Sequence, residues 1–176
     1  MFEKIATLPV GDPLSFRFSA LDNETTVFAW EDAAGSLSAL VFDSEGNVLS
    51  SVFVAAAVDD WQLAPSIGGE FGLAWSSGNA IHYEFFDATG SGLGGGQVAA
   101  PAGVSDFRPT DFQIDRVTGE AFIRTAGQDD WYRYRGSIQI DEQGNAGPAT
   151  GESYDPDWSY YYVTSPLAGG DFATIR

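Results

Sequence analysis

From residue 14 onward the chain runs as short alternations of apolar and polar side chains, interrupted every few positions by Gly, Pro, Asn or Asp. In HYEFF (82–86) and YRYRGSIQI (132–140) the alternation has a period of two, which marks a strand with one face buried. Runs at 14–21, 25–31, 37–43 and 48–56 predict four consecutive strands. No fifteen-residue window carries a clean 3.6 period, so helix is predicted only as a single turn.

The breaks between strands share one chemistry. VFDSEGN (41–47), FFDATGS (85–91) and IQIDEQGN (138–145) each place Asp after apolar residues and Gly three positions later. Such an Asp bonds its own following backbone while Gly takes positive φ, which predicts one hairpin turn used three times. In the second, Gly90, Gly92 and Gly95 also fit a G-x-G-x-x-G phosphate fingerprint. That fingerprint needs the glycines to open a helix whose N-terminal amides hold the phosphate, and the QVAAPAG that follows is too short and stopped by Pro101. The run from Gly90 to Gly96 is therefore read as a mobile turn without a ligand.

Aligned on itself, the chain repeats. DDWQLAPS (59–66), SDFRPTDF (105–112) and PDWSYYYVTS (156–165) each set an acid before an aromatic and a strand-like run, and PLSFRFSAL (13–21) resembles them without the adjacent acid. Phe16, Trp61, Phe107 and Trp158 stand 45, 46 and 51 residues apart, and the second-strand landmarks Trp30, Trp75, Arg124 and Arg176 stand 45, 49 and 52 apart. Four antiparallel strands per repeat of this length predict an all-β fold, a small β-propeller of about four four-stranded blades; the alternative is a multi-stranded β-sandwich. Repeats are placed at 13–57, 58–104 and 105–155, with a partial one at 156–176 completed by 1–12. MFEKIATLPV is expected to pair with the GGDFATIR strand and close the last blade. Fifteen strands are predicted, one short of four blades, so closure within the chain and a homo-oligomer through the incomplete blade both stand open. Trp30 and Trp75, at equivalent positions, are both expected to be buried between blades.

The stretch GGEFGLAWSSGNAIHYEFFDATGSGLGGGQVAA (68–100) resembles a bacterial surface and secreted-protein repeat of the form G-G-F-V-V-A-W, a variable loop, I-Y-A-Q-R-F-D-A-D-G-N and a closing E-F-x-V strand. The match covers the second repeat well, the first fairly, and the third through GEAFIRTA and IQIDEQGN. The resemblance implies propeller blades and an acidic, cysteine-free protein outside the cell, often exported by a type I system. It implies no catalytic residues and, without a glycine-aspartate nonapeptide array, no tight calcium roll.

Charge narrows the partners. With 25 acidic against 8 basic residues the formal charge is −17, which repels phosphate backbones and anionic lipid, so nucleic acid and membrane surfaces are poor partners, and with no segment near the roughly 20 apolar residues of a span no membrane insertion is expected. No cysteine is present, and the N-terminal stretch shows no apolar core of signal-peptide length. An extracellular, cell-surface or virus-like-particle setting is expected all the same, by a leaderless route or as part of a longer chain.

Chemistry for catalysis is sparse. His82 is the only histidine, so a Ser-His-Asp site would have to form around it, and no G-x-S-x-G elbow is present. Its expected role is that of an ordinary strand residue. Carboxylate pairs suited to a glycosidase are abundant without specific spacing. The acids Asp59, Asp60, Asp129, Asp130, Asp155 and Asp157 precede strands and leave weak surface calcium open, with no metal site or cofactor predicted. The stronger signal is aromatic: Trp131, Arg133 and Arg135 fall on one strand face, Tyr132 and Tyr134 on the other, and Trp158, Tyr160 and Tyr162 lie further on. Trp131, Arg133, Arg135, Trp158, Tyr160 and Tyr162 are the candidate ligand-binding residues, because rings and guanidinium groups stack on sugars and anchor protein partners. The expected function is a noncatalytic recognition or adhesion module binding a glycan or protein surface. The alternative is a structural repeat of a surface fibre or a phage-like decoration or fibre protein.

Overall fold

A computed structural model describes residues 13–21, 24–115, 117–130, 132–154, 163–166 and 172–175. These residues form an all-β protein. The first sheet is the meander β1 (Ser15–Ala20), β2 (Thr26–Glu31), β3 (Leu37–Phe42) and β4 (Val48–Ala55). The second repeats it with β5 (Trp61–Pro65), β6 (Phe71–Ser77), β7 (Ala80–Phe86) and β8 (Gly92–Ala99). The third is β9 (Val104–Ile114), β10 (Ala121–Asp129), β11 (Tyr132–Ile140) and β12 (Thr150–Tyr154). Strands β13 (Val163–Pro166) and β14 (Phe172–Ile175) pair as a further antiparallel hairpin. Among the described residues the only helical piece is the single 3-10 turn Ile67–Gly69. The four strands expected in the first repeat are found within one residue at each end.

The shared turn chemistry takes the predicted form. Asp43 Oδ1 accepts the amides of Glu45 (3.0 Å) and Asn47 (2.7 Å), Asp87 Oδ1 those of Thr89 (2.8 Å) and Ser91 (2.9 Å), and Asp141 Oδ1 those of Gln143 (3.0 Å) and Asn145 (2.7 Å). Gly46, Gly90 and Gly144 follow at φ 83°, 80° and 82°, the left-handed geometry that closes a three-residue hairpin loop. The same loop closes β2 to β3, with Asp32 Oδ1 accepting Ala34 and Ser36 and Gly35 at φ 75°. Its D-x-x-G spacing was visible in the sequence.

The glycine run departs from expectation. Only Gly90 belongs to the turn; Gly92 to Gly96 are strand β8, paired with β7 from Phe86↔Gly92 to Tyr83↔Gly96. A Cβ on Gly95 would be driven into the carbonyl oxygen of Tyr83, and one on Gly96 would lie 2.6 Å from the Tyr83 hydroxyl. These glycines serve close approach of strand to strand rather than mobility.

The first sheet packs on the second and the second on the third. Between the first two, Val27, Ala29, Ala39 and Val41 meet Leu73, Trp75, Phe86 and Trp61. Between the second and third, Ala64, Ala74, Ile81 and Tyr83 meet Phe107, Phe112, Ile123 and Ile138. The second strand of each sheet turns small residues toward the next sheet, Ala29 in the first and Gly72 and Ala74 in the second: a Cβ on Gly72 would stand 2.6 Å from the Phe112 ring. Polar links tie the leading strands together. Arg17 on β1 donates to the Trp61 carbonyl at 3.0 Å and lies 4.9 Å over its ring, while the Trp61 indole donates to Ser15 Oγ at 2.7 Å. On β7, the Tyr83 hydroxyl donates to the Gly144 carbonyl at 2.9 Å, fixing the β11–β12 side of the third sheet.

Two sequence alignments shift in the structure. Ile123 packs toward the second sheet, so alternation puts buried Thr125 on that side and Arg124 on the other; Thr125 holds the place of Trp75. Counted from the Gly-Glu that precedes each strand, 69–70 and 119–120, it is Thr125 and not Arg124 that falls where Trp75 does. Trp75 is buried as expected, at 8% exposure, but Trp30 is only half-buried, since its side of the first sheet meets none of the other described sheets.

Candidate functional site

Alternation along β11 is fixed by Tyr134, which is buried against Phe107 with ring centroids 6.0 Å apart. Arg133 and Arg135 therefore project from the opposite face and are exposed, as the sequence suggested, while Tyr132 is half exposed. The β11–β12 register places Arg133 opposite Tyr154 and Arg135 opposite Glu152. From that register Arg135 reaches diagonally, its guanidinium 4.9 Å over the Tyr154 ring. Arg124 on β10 shares this outer face and approaches Asp111 at 3.8 Å. Three of the eight basic residues thus stand on one sheet face of a strongly acidic chain, beside a tyrosine ring and the amide-bearing Gln113 and Gln139.

Of the six predicted site residues, the structure brings Arg133 and Arg135 together. Trp131, Trp158, Tyr160 and Tyr162 lie outside the described residues, as does the expected pairing of residues 1–10. Tyr154 and Arg124 were not singled out in sequence. Tyr154 has no local signal, because its partnership with Arg135 comes from strand pairing. Arg124 was used only as a repeat landmark.

His82 sits on β7 with its ring stacked on Trp75, centroids 5.6 Å apart and planes 13° from parallel. Of the turn acids, Asp60 approaches Arg108 at 3.7 Å, and Asp129 accepts the Ser153 hydroxyl at 2.6 Å. Asp155 and Asp157 lie outside the described residues. Among the described residues no three His, Cys, Asp or Glu side chains gather as metal ligands do.

Titration follows the same geometry. Hydrogen bonds from Asn47 to Asp43, from Thr89 and Ser91 to Asp87, and from Asn145 to Asp141 hold these carboxyl groups below the usual range. Burial pushes Glu84 upward, and likewise the phenols of Tyr83 and Tyr134. None of these groups lies among the arginines of the outer face.

No family model matches this chain, and comparison with curated proteins finds no match either.

Proposed function

We propose that the chain is a small β-propeller acting as a noncatalytic recognition module outside the producing cell, with the outer face of β10–β12 as its ligand surface. The observation that carries this reading is the exposed pair Arg133 and Arg135 beside the Tyr154 ring, on a chain whose net charge is −17. Guanidinium forks bond hydroxyl and carboxylate oxygens in pairs, and a tyrosine face takes the apolar side of a sugar ring, so a glycan with acidic groups suits the surface best. Three arginines against Asp111 and Glu152 on the same face make it far less acidic than the rest of the chain, which lets the protein approach such a ligand without general attraction to polyanions.

The propeller reading is supported by three successive four-stranded meanders packed in the same sense, with β1, β5 and β9 linked through Arg17–Trp61 and Arg108–Asp60. A β-sandwich offers no reason for that repeat. A structural role in a multi-chain fibre is the second reading, favoured by one feature: Phe16, Phe18, Phe28 and Trp30 form an aromatic face on the first sheet, with Phe18 71% exposed.

A glycan array carrying neutral and acidic oligosaccharides, read with the wild type and with Arg133→Ala/Arg135→Ala, tests the proposal. Acidic glycans should be bound, and the double variant should lose tenfold or more. Unchanged binding in the variant, or binding to no glycan at all, would overturn the assigned surface. Light scattering separates the second reading, which requires an assembly instead of a monomer.

A further inference from the structure

Positive charge is scarce in this chain, and one arginine holds its charge apart from any acid. We infer that Arg17, on β1, is the centre of a second ligand site that takes the carboxylate of a sugar acid, with Asp60 and Arg108 beside it for the sugar's hydroxyl groups. The site shares no residue with the outer face of β10–β12.

With 25 acids to 8 bases, acidic partners for an arginine are plentiful. Arg108 approaches Asp60 at 3.7 Å and Arg124 approaches Asp111 at 3.8 Å. Arg17 meets no carboxylate among the described residues. Neutral groups hold it instead: Nε and Nη2 donate to the Trp61 carbonyl oxygen at 3.3 and 3.0 Å, and the guanidinium lies 4.9 Å over the Trp61 ring. That ring is itself fixed. Trp61 is buried, its indole N–H donates to Ser15 Oγ at 2.7 Å, and the Ser15 hydroxyl donates to Glu31 Oε2 at 3.0 Å. Arg17 is therefore an exposed cation on a rigid mount, with the entropy of ordering its side chain already spent before a ligand arrives.

Linking the sheets does not require that charge. Arg17, Gln62 and Arg108 each follow the first-strand aromatic of their repeat, Phe16, Trp61 and Phe107. At this place in the second repeat Gln62 Nε2 donates to the Pro109 carbonyl at 3.5 Å, so an uncharged amide makes the corresponding link to the next sheet. What the guanidinium adds at position 17 is a positive charge and further donors. Its Nε–Nη2 edge is engaged with Trp61; Nη1 and the second hydrogen of Nη2 form the end edge, a fork that matches the two oxygens of a carboxylate.

The neighbours define the rest of the ligand. Asp60 immediately precedes Trp61, and its main chain is tied to Ser76 through Asp60 N to Ser76 Oγ at 3.1 Å and Ser76 N to Asp60 O at 2.8 Å. The side chains of Arg108 and Asp60 are 53% and 50% exposed, and their 3.7 Å approach is longer than a hydrogen bond, so both keep capacity for a ligand. An acceptor and a donor side by side suit neighbouring hydroxyl groups, which donate to one and accept from the other. A carboxylate and hydroxyls carried on one small ring describe a sugar acid. Acetate would engage only the Arg17 fork, and a neutral sugar would leave that fork unused.

Titration of 15N-labelled protein with glucuronate, followed at the Trp61 indole N–H beneath Arg17, tests the site. A saturable shift is expected in the wild type and equally in Arg133→Ala/Arg135→Ala, whereas glucose and acetate should bind tenfold or more weakly. Arg17→Gln should weaken glucuronate binding tenfold or more while leaving Tm unchanged, because glutamine keeps the link to Trp61. Arg108→Gln should weaken glucuronate and leave acetate as it was. Acetate binding as tightly as glucuronate would overturn the sugar assignment. The absence of any shift, or wild-type affinity in Arg17→Gln, would overturn the site, and loss of the shift in Arg133→Ala/Arg135→Ala would move the ligand to the outer face and overturn it as well. Should Arg17→Gln melt lower, Arg17→Lys, which keeps the charge and lacks the fork, replaces it with the same expectation of weakened binding. Failure of this titration leaves the Arg133–Arg135 surface standing, and failure of the glycan array leaves this site standing.

Discussion

Replacing Gly72 by alanine adds one methyl group at the tightest point between the second and third sheets. The new Cβ would stand 2.6 Å from Phe112 Cε1, 2.8 Å from its Cζ and 3.2 Å from Ile114 Cδ1. Carbon atoms prefer separations of about 3.5–4.0 Å, so the Phe112 ring must retreat by roughly 1 Å. It has little room: Phe112 is buried and Phe85 flanks it at 6.1 Å between centroids. Gly72 does not take positive φ, so alanine meets no backbone strain, and in a strand the change alone would stabilise by about 0.5–1 kcal/mol. Overpacking of a filled core costs about 1–3 kcal/mol, which wins by a modest margin or better. For a domain of this size each kcal/mol corresponds to about 2–4 °C in Tm, and a fall of a few degrees is expected. Denaturant unfolding of Gly72→Ala, Phe112→Leu and the double variant measures the coupling directly. The double variant should be more stable than the sum of the singles implies. A neutral or stabilising Gly72→Ala, or strict additivity, would refute the packing of these two sheets.

Trp75→Ala should cost about 3–5 kcal/mol by denaturant unfolding, and Trp30→Ala clearly less, because the second ring is half-buried. Tyr83→Phe removes the bond to the Gly144 carbonyl and should cost about 1 kcal/mol, with faster amide exchange at the 141–145 turn as a second readout. Gly95→Ser should destabilise measurably in thermal melts while leaving glycan binding unchanged, since a side chain there meets the Tyr83 carbonyl. The folded-state carboxyl groups of Asp43, Asp87 and Asp141 sit below their unfolded values, so the stability they contribute is complete above the ordinary aspartate range and is lost as pH falls through it. An acid titration should therefore show a shallower loss in the triple Asp→Ala variant than in the wild type. Tyr83 and Tyr134 carry the opposite sense: their folded values are raised, so stability should fall as pH rises past the ordinary tyrosine range.

Features set by a few neighbouring residues were legible in the sequence. An Asp followed three positions later by Gly specifies its turn through bonds made within five residues, and these turns stand where the spacing put them. The phase of Arg133 and Arg135 was legible for the same reason, since alternation along one strand needs no partner. Strand β8 was not, because GLGGG has no apolar pattern; its conformation is imposed by β7, and its glycines are required by the carbonyl and ring of Tyr83 behind them. The partnership of Arg135 with Tyr154 was equally hidden, being a product of register between two strands. Arg124 failed as a landmark because, counted from the Gly-Glu before each strand, it matches Ala74 and Thr125 matches Trp75.

That contrast explains why Trp30 and Trp75 differ despite equivalent strand positions, with Ala before each and a first-strand aromatic opposite. A residue on a sheet has a fixed direction but no fixed environment; the environment is supplied by whichever sheet arrives on that side. For Trp75 the first sheet arrives, bringing Ala29 and Ala39. For Trp30 the same geometry waits on a unit whose small side must match Phe16, Phe28 and Trp30 as Ala29 matches Trp75. The exposure of these rings therefore reports on closure of the repeat, and quenching of Trp30 fluorescence by acrylamide reads it directly. In a variant with Trp61, Trp75, Trp131 and Trp158 changed to phenylalanine, a protected Trp30 in the monomer would place a sheet of this chain over it. Protection that rises with protein concentration would place a second copy there, and free access to the quencher in every state would leave the face open to solvent and remove the ground for a closed ring.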